Sequence, residues 1–297
     1  MNLKNIKSYM MPISMFIGII LSAPLSKLAF LTQYLIFFML LISYSKISLK
    51  EVRFTSMHGY LLAIQLLGSI IIYAILRIID PTLAQGVMIC ILAPTATSAV
   101  VITGMLGGNT ASLTAYSLLS NFAVALVAPL LFCFLGSNPE ISFFDELTQI
   151  AGQVFVLLLL PFIITILIDK FSPKLHHKIQ SSQSISFVLW NIALIIVTAK
   201  TVQFLLIEGR THLSTAFLLF FFVFIVCVSQ FYLGRKLGRR YNDTIAGGQG
   251  LGQKNTILSI WMAQTYLNPL ASIGPGAYIL WQNIINSYQV WKKQHNR

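Results

Sequence analysis

A lysine and several amide side chains interrupt an apolar stretch near the C-terminal end of the chain, in the segment GQGLGQKNT at residues 248–256. An ammonium group and carboxamides at this spacing can hold a carboxylate or a hydroxyl group through charge and hydrogen bonds. Hydroxyl side chains in APTATSA (93–99) and further amides in WQNI (281–284) interrupt two other apolar stretches. The candidate residues for binding a small substrate are therefore Thr97, Ser98, Gln253, Lys254, Asn255, Gln282 and Asn283.

Lys254 has no evident carboxylate partner, because no Asp or Glu falls in the middle of any apolar stretch. An unpaired charge at the centre of a membrane costs about 3 kcal/mol on insertion scales. We therefore expect its amine to face a water-filled cavity, to be neutral, or to meet an anionic substrate as a tethered cation. The alternative is a lysine that snorkels along its helix or packs against carbonyls as a structural strut.

The composition is that of an integral membrane protein. Of 297 residues, 56% are hydrophobic and 9% are charged, whereas a soluble domain carries about 25% charged residues. The net charge of +12 comes from short basic clusters between apolar runs, which favours membrane-proximal loops and argues against a nucleic-acid partner. The cysteines, at 90, 133 and 227, lie in apolar stretches without the spacing of metal ligands, so neither a metal site nor a disulfide framework is predicted.

The elements that position the candidate residues are apolar runs, each about 20 residues long as a membrane crossing requires. The sequence predicts an all-α, polytopic membrane protein with ten transmembrane helices. The predicted spans are 9–24, 28–46, 57–79, 82–106, 110–136, 146–168, 184–206, 213–234, 243–266 and 270–291.

The distribution of basic residues across these spans predicts the orientation. Fifteen Lys and Arg residues fall on the side of the N-terminus and four on the opposite side, with Lys254 inside the bilayer. Because cytoplasmic loops carry the excess of Lys and Arg, both termini are expected in the cytoplasm. An odd number of spans would place the basic C-terminus outside, so this asymmetry also favours an even number.

The ten spans divide into two repeats of five, at 1–139 and 140–297. Pro94 interrupts the fourth span, and Gly248, Gly250 and Gly252 are predicted to break the ninth, which has the same ordinal place in the second repeat. With five spans in each repeat, the second repeat is inverted in the membrane. Paired interruptions in inverted repeats indicate the central site of a transporter, although Gly and Pro also occur in intact transmembrane helices as packing or kink residues.

Three local motifs resemble those of the bile acid:sodium symporter family. APTATSA (93–99) is similar to the family's C-P-G-G-T-A-S-N segment, GLGQKNT (250–256) resembles E-x-G-x-Q-N-S, and WQNI (281–284) resembles W-H-N-I. The resemblance implies that the fourth and ninth helices unwind and cross. It also implies that a bundle of spans 3–5 and 8–10 moves against a panel of spans 1, 2, 6 and 7, and that Thr97, Asn255 and Asn283 contribute to the substrate cavity.

The departures from the family concern its two sodium sites. The positions at which the family holds sodium fall here on Ala99, Val100, Gly250 and Lys254. Alkyl groups and a missing carboxylate supply no hard oxygen ligands to sodium, and a protonated lysine repels it. We therefore expect at least one of the two sodium sites, and by the same reasoning both, to be absent. No cofactor is expected.

The resemblance implies a secondary transporter of the bacterial inner membrane that carries a small organic anion by alternating access. A sodium-coupled symporter with remodelled ion sites is the first alternative, and a channel is the second, because broken helices also build selectivity filters. No motif of a hydrolase or metalloprotease occurs in the sequence, so an enzyme is not expected. Beyond the lipid bilayer and the substrate, no obligate protein partner is evident.

Overall fold

The computed structural model describes residues 3–47, 52–96, 98–136, 143–208 and 213–295, and within these ranges it contains helices but no strands. Two 3₁₀ segments, Ser26–Leu31 and Pro269–Ser272, extend the α-helices that follow them. The α-helices are α1 (Leu3–Ile20), α2 (Ser22–Leu25), α3 (Thr32–Tyr44), α4 (Ser56–Leu76), α5 (Pro81–Leu92), α6 (Ser98–Leu106), α7 (Thr110–Gly136), α8 (Phe143–Leu158), α9 (Leu160–Phe171), α10 (Pro173–Ser181), α11 (Gln183–Glu208), α12 (Leu213–Arg239), α13 (Thr244–Gly252), α14 (Thr256–Tyr266) and α15 (Ile273–His295).

Six helical stretches of the described chain are long and apolar enough to cross a membrane. They are Ser22–Tyr44, Ser56–Leu76, Thr110–Leu135, Phe143–Phe171, Ser184–Gln203 and Leu213–Arg239. Each predicted span coincides with one helix or with successive helical segments. The chain is therefore a multi-pass membrane protein, while the count of ten crossings and the inverted repeat at 1–139 and 140–297 stay predictions.

The chain forms two compact units, each assembled from two separate parts of the sequence. We call Met1–Lys46 with Gly152–Leu213 the panel unit, and Ile47–Ala151 with Ser214–Arg297 the crossing unit. The panel unit holds predicted spans 1, 2 and 7 and most of span 6, and the crossing unit holds spans 3–5 and 8–10. This grouping of helices agrees with the one implied by the family resemblance.

In the panel unit, α1 and α3 pack on α11. Gly18 allows the close approach, because a Cβ atom there would lie 2.6 Å from the carbonyl oxygen of Ile195. The buried hydroxyl of Ser14 donates to Asn191 Oδ1 at 2.9 Å, so this isolated asparagine bonds one helix to another. Such bonds between helices are the usual use of asparagine in a membrane bundle.

In the crossing unit, α5 is buried along almost its whole length against α4 and α15. A Cβ atom at Gly274 of α15 would lie 2.4 Å from the carbonyl oxygen of Gly86 in α5, so the two backbones touch. Asp80 caps the start of α5 by accepting from the backbone N–H of Leu83 at 2.7 Å. The C-terminal end of α5 is thereby carried into the interior of the unit, where the chain leaves the helix.

The predicted helix-breaking role of Gly248, Gly250 and Gly252 is wrong. All three lie within α13, and the helix ends after them, so that the interruption falls on residues 253–255. Pro94, in contrast, does lie in a non-helical segment, which runs from Ala93 to Ala96 in the described chain.

The glycines of α13 serve close packing. Ideal Cβ atoms at these positions would lie 2.5 Å from Arg235 Cγ at 248, 2.8 Å from Tyr116 Cδ1 at 250 and 2.4 Å from Phe231 Cδ1 at 252. Each glycine in a helix costs about 1 kcal/mol against alanine, but small residues let helices approach closely in a membrane bundle. Here that close packing on α7 and α12 keeps the glycine-rich segment helical.

Candidate functional site

The two non-helical segments of the crossing unit meet and pair through their backbones. Thr95 and Lys254 form an isolated antiparallel bridge. The N–H of Ala96 donates to Gln253 O at 2.9 Å, and the N–H of Asn255 donates to Pro94 O at 2.9 Å. Backbone polar groups that leave a helix inside a membrane need partners within the protein, and here each interruption supplies partners to the other. The interrupted segments of the fourth and ninth predicted spans therefore meet, as the predicted crossing requires.

The amine of Lys254 lies at the C-terminal end of α5. Its Nζ donates to Ile91 O at 2.9 Å and to Ala93 O at 3.0 Å, and the residue is 1% exposed. The last carbonyls of a helix lack helical donors and carry partial negative charge, so the amine caps them. The amine therefore packs against carbonyls and does not snorkel, while its predicted role as a tethered cation stays a prediction.

No carboxylate of the described residues bonds to this amine, since their only ion pair joins His176 to Asp169. The amine is hydrogen-bonded, but its charge, when it is protonated, is not neutralised by an opposite charge. Such a group contributes a positive potential to its surroundings, which polar neighbours soften but do not cancel.

Gln65 of α4 forms a second cap on the same helix end. Its Nε2 donates to Leu92 O at 2.7 Å and to Ala93 O at 2.9 Å. Its Oε1 accepts from the hydroxyls of Tyr116 at 2.7 Å and Ser120 at 2.9 Å. The amide is thus fully bonded and 0% exposed. Sequence reasoning missed it, although an isolated glutamine in an apolar span is the signal that could have found it.

Thr95 is a further residue of the site that was not predicted. Its Oγ1 donates to Gly250 O at 2.8 Å, and its carbonyl accepts from the hydroxyl of Ser117 at 3.3 Å. Thr97, which was predicted instead, lies outside the described residues. The hydroxyl-rich run 95–98 was recognised, but which of its residues turns toward α13 depends on the local backbone.

A chain of buried amides leads from α13 through α15 to the beginning of α6. Gln249 Nε2 donates to Asn286 Oδ1 at 2.9 Å, Asn286 Nδ2 donates to Gln253 Oε1, and Gln253 Nε2 donates to Ser98 Oγ at 3.3 Å. Because every amide has one donor end and one acceptor end, the direction of one bond sets the direction of the next. We call Gln249, Asn286, Gln253 and Ser98 the amide relay. The relay ends at Ser98, an exposed residue whose hydroxyl can donate one further hydrogen bond.

Helix α15 contributes Gln282, whose Oε1 accepts from the backbone N–H of Lys254 at 2.9 Å. Tyr278, one turn earlier, donates its hydroxyl to Gly252 O at 2.9 Å, which caps the end of α13. Asn283 instead donates to Ile279 O of its own helix at 2.7 Å. Its predicted contribution to the substrate cavity stays a prediction.

Asn255 begins α14, and its Oδ1 accepts from the backbone N–H of Leu258 at 3.3 Å as an N-cap. Within the described chain, its amide nitrogen makes no hydrogen bond, and the residue is half-buried. Asn255 thus stabilises the second half-helix and keeps one donor for a ligand. The structure therefore brings Gln253, Lys254, Asn255, Gln282 and Ser98 together at the crossing.

Comparison with protein families matches residues 24–284 to the model of the SBF-like CPA transporter family. The matched range includes both interruptions, every predicted site residue, and the amide relay except Asn286. No curated protein matches the chain.

Proposed function

The chain belongs to the SBF-like CPA transporter family, of the bile acid:sodium symporter kind, and from this premise we propose that it carries an organic anion by alternating access. In this mechanism the crossing opens to one side of the membrane at a time. We further propose that the protein lies in a bacterial inner membrane with both termini in the cytoplasm. The proposed orientation rests on the excess of Lys and Arg on one side of the predicted spans.

The observation that carries the anion proposal is the buried amine of Lys254, which has no carboxylate partner among the described residues. A protonated amine that is 1% exposed and bonded only to neutral carbonyls favours an anion nearby. At an effective dielectric constant of about 20, an opposite unit charge at about 6 Å gains roughly 3 kcal/mol. That energy is large enough to select anions over cations and neutral molecules of similar shape.

The same residue argues against the sodium sites of the family. On the alignment of GLGQKNT with E-x-G-x-Q-N-S, Gly250 replaces the glutamate and Lys254 replaces the glutamine. A Cβ atom at Gly250 would lie 2.8 Å from the ring of Tyr116, so the space that a carboxylate would need is filled. If Gly248 is the aligned position instead, its Cβ atom would meet Arg235 at 2.5 Å. We propose a sodium-independent carrier in which the tethered amine replaces the sodium charge.

Neutral donors beside the crossing can bind the acceptor atoms of the anion. Ser98 accepts from Gln253, so its own hydroxyl hydrogen is available to a ligand, and the amide nitrogen of Asn255 is a second donor. Helices α6 and α14 both begin where the two interrupted segments meet. The N-terminal end of a helix favours negative charge. We assign substrate contact to Ser98 and Asn255, and the positioning of these donors to Gln253 and Gln282. Thr97, which lies between the crossing and Ser98 in the sequence, stays a predicted contact.

The proposal is tested by counterflow of organic anions in proteoliposomes containing wild type, Lys254→Met or Lys200→Met. Met keeps the length of the side chain and removes the charge, and Lys200 of α11 is a half-buried lysine of the panel unit. We expect wild type and Lys200→Met to exchange anions equally with and without sodium, and Lys254→Met to lose at least about tenfold in rate. Unchanged exchange in Lys254→Met would refute the role of the charge.

The same assay separates the alternatives. A strict requirement for sodium would favour a symporter with remodelled ion sites. Uptake that neither saturates nor is accelerated by substrate on the far side would favour a channel over a carrier.

A further inference from the structure

The junction between α9 and α10 carries exposed basic and exposed apolar side chains side by side. Lys170, Phe171, Lys174, Leu175 and Lys178 form this basic-apolar corner. We propose that the corner binds the anionic lipid headgroups of the membrane in which the protein lies. The proposal concerns the panel unit alone and is independent of the transport site.

The position of the corner along the chain places it at the edge of the bilayer. The continuous apolar stretch Phe143–Phe171 is long enough to cross a membrane, and it ends at the corner. The chain turns at Ser172, and α10 begins with Pro173 at its first position. A helix that follows directly on a membrane span, after a turn of one residue, starts at the level of the lipid headgroups.

The apolar side chains of the corner are unusually accessible for a segment rich in lysine. Phe171 is 75% exposed and Leu175 is 45% exposed, although α10 packs on α9 and α3. A solvated turn has no reason to present such groups to water. An interfacial helix does, because it buries apolar side chains at the boundary of the acyl chains while its lysines reach the headgroups. Each additional CH₂ that is buried favours binding.

The charges of the corner are also arranged for an anionic surface. Lys174 and Lys178 are exposed and lie one turn apart in α10. Lys170 is exposed, and its Nζ lies 5.6 Å from the ring centroid of Phe171. The charge and the aromatic ring therefore lie on the same side of the corner.

The one carboxylate in α9 and α10 is engaged within the protein. Asp169 Oδ1 lies 3.2 Å from His176 Nδ1, and the His176 side chain is 17% exposed. The Asp169 side chain is itself 67% exposed, so one carboxylate stays at the surface of the corner. The exposed lysines Lys170, Lys174 and Lys178 outnumber it, so the corner carries a net positive charge that favours an anionic lipid surface.

The experiment measures thermal unfolding of the full-length protein in neutral detergent with added phosphatidylglycerol or phosphatidylcholine. The variant is Lys170→Gln with Lys174→Gln and Lys178→Gln. The matched control, Lys236→Gln with Arg239→Gln and Arg240→Gln, removes the same charge from the end of α12. We expect phosphatidylglycerol to stabilise wild type and control alike. Because each lysine strengthens binding to an anionic surface about fivefold, the corner variant should bind phosphatidylglycerol on the order of 100-fold more weakly.

Equal stabilisation of the corner variant would overturn the proposal, and so would an equal loss in the control variant, since that would reflect net charge alone. Stabilisation by soluble glycerol phosphate at the same concentration would also overturn it in favour of a free anion. If the corner variant does not fold, a salt titration of wild type replaces it. Stabilisation that does not fall between about 50 mM and about 500 mM salt would contradict a headgroup interaction.

Discussion

The two interrupted helices reach the same crossing by different means. The helix pair α5–α6 is interrupted at Pro94, whose ring nitrogen has no hydrogen to donate to the carbonyl of Cys90. The pair α13–α14 contains no proline, and its interruption falls on Gln253, Lys254 and Asn255. Each of these three residues is bonded elsewhere in the crossing unit through its side chain or its backbone.

The first interruption contains a residue that cannot donate a helical hydrogen bond, whereas the second depends entirely on tertiary contacts. A proline removes one helical hydrogen bond in any surroundings, although a helix can continue through it, as α7 does at Pro129. A Gln-Lys-Asn segment removes none and would continue a helix if its partners were absent. The position of the second interruption is therefore held by the packing of α13 and by the bonds that its residues make. Substitutions that disturb these contacts should have larger effects than substitutions at Pro94.

The largest effect is expected for Gly247→Ala, because an added Cβ atom would lie 2.4 Å from the carbonyl oxygen of Gly234. A backbone cannot yield as a flexible side chain can, so we expect a loss of about 3 kcal/mol. Thermal unfolding in detergent measures it. The control is Gly59→Ala, which meets nothing within 4 Å and should stabilise the helix by up to about 1 kcal/mol. If both variants are equally stable, the packing role of the glycines in α13 is wrong.

The second prediction concerns Gln65→Leu, which removes the amide cap from the end of α5. Two carbonyls lose a donor and the hydroxyls of Tyr116 and Ser120 lose an acceptor, although Lys254 still bonds to Ala93 O. We expect a loss of roughly 2 to 3 kcal/mol, again measured by thermal unfolding. Gln33→Leu, at an exposed position of α3, should change stability by less than about 0.5 kcal/mol. A similar small change in Gln65→Leu would contradict the cap.

A smaller effect is expected for Asn286→Leu, which interrupts the amide relay between Gln249 and Gln253. Gln253 loses the bond that orients its donor toward Ser98, so substrate binding should weaken about tenfold, corresponding to about 1.4 kcal/mol. The KM for anion exchange measures this, and kcat is expected to change less. The neighbouring variant Ser287→Ala, at an exposed position of α15, should leave KM unchanged. An unaltered KM in Asn286→Leu would show that the relay does not serve the substrate.

The smallest effect is expected for Pro94→Ala, although it restores the missing backbone N–H. The carbonyl of residue 94 still accepts from Asn255, and Ala96 still donates to Gln253 O, so the segment should stay non-helical. We expect a change within about 1 kcal/mol. Hydrogen exchange of the amides at 94–96 checks the local structure. Strong new protection there, together with lost transport, would mean that the proline alone maintains the first interruption.

Sequence reasoning found about half of the site for a definite reason. Ser98, Gln253, Lys254 and Gln282 stand in short polar motifs within apolar runs, so their type and position reveal them. Tyr116, Ser120 and Asn286 join the site through helix packing, and nothing in their local sequence distinguishes them from ordinary interhelical polar residues. Their bonds at the site join positions more than 20 residues apart in the chain.

The glycines of α13 show why the second interruption was misplaced. Propensity alone predicts a break where glycine is frequent, since each glycine weakens a helix. In the structure, the same glycines are the residues that let α13 approach α7 and α12, and the helix persists through them. Packing against neighbouring helices overrides the local preference, and neighbours cannot be read from a single segment.

The sequence by itself determined that this chain lies in a membrane, where its apolar runs begin and end, and that a basic side chain with amides occurs within one of them. These properties follow from composition and from the length of a bilayer, which act on each segment separately. Only the tertiary structure decided that the amine of Lys254 caps α5, that the interruption of α13–α14 follows its glycines, and that the helices separate into two units. Each of these depends on contacts between residues distant in the chain, and their energies exist only when the helices are assembled.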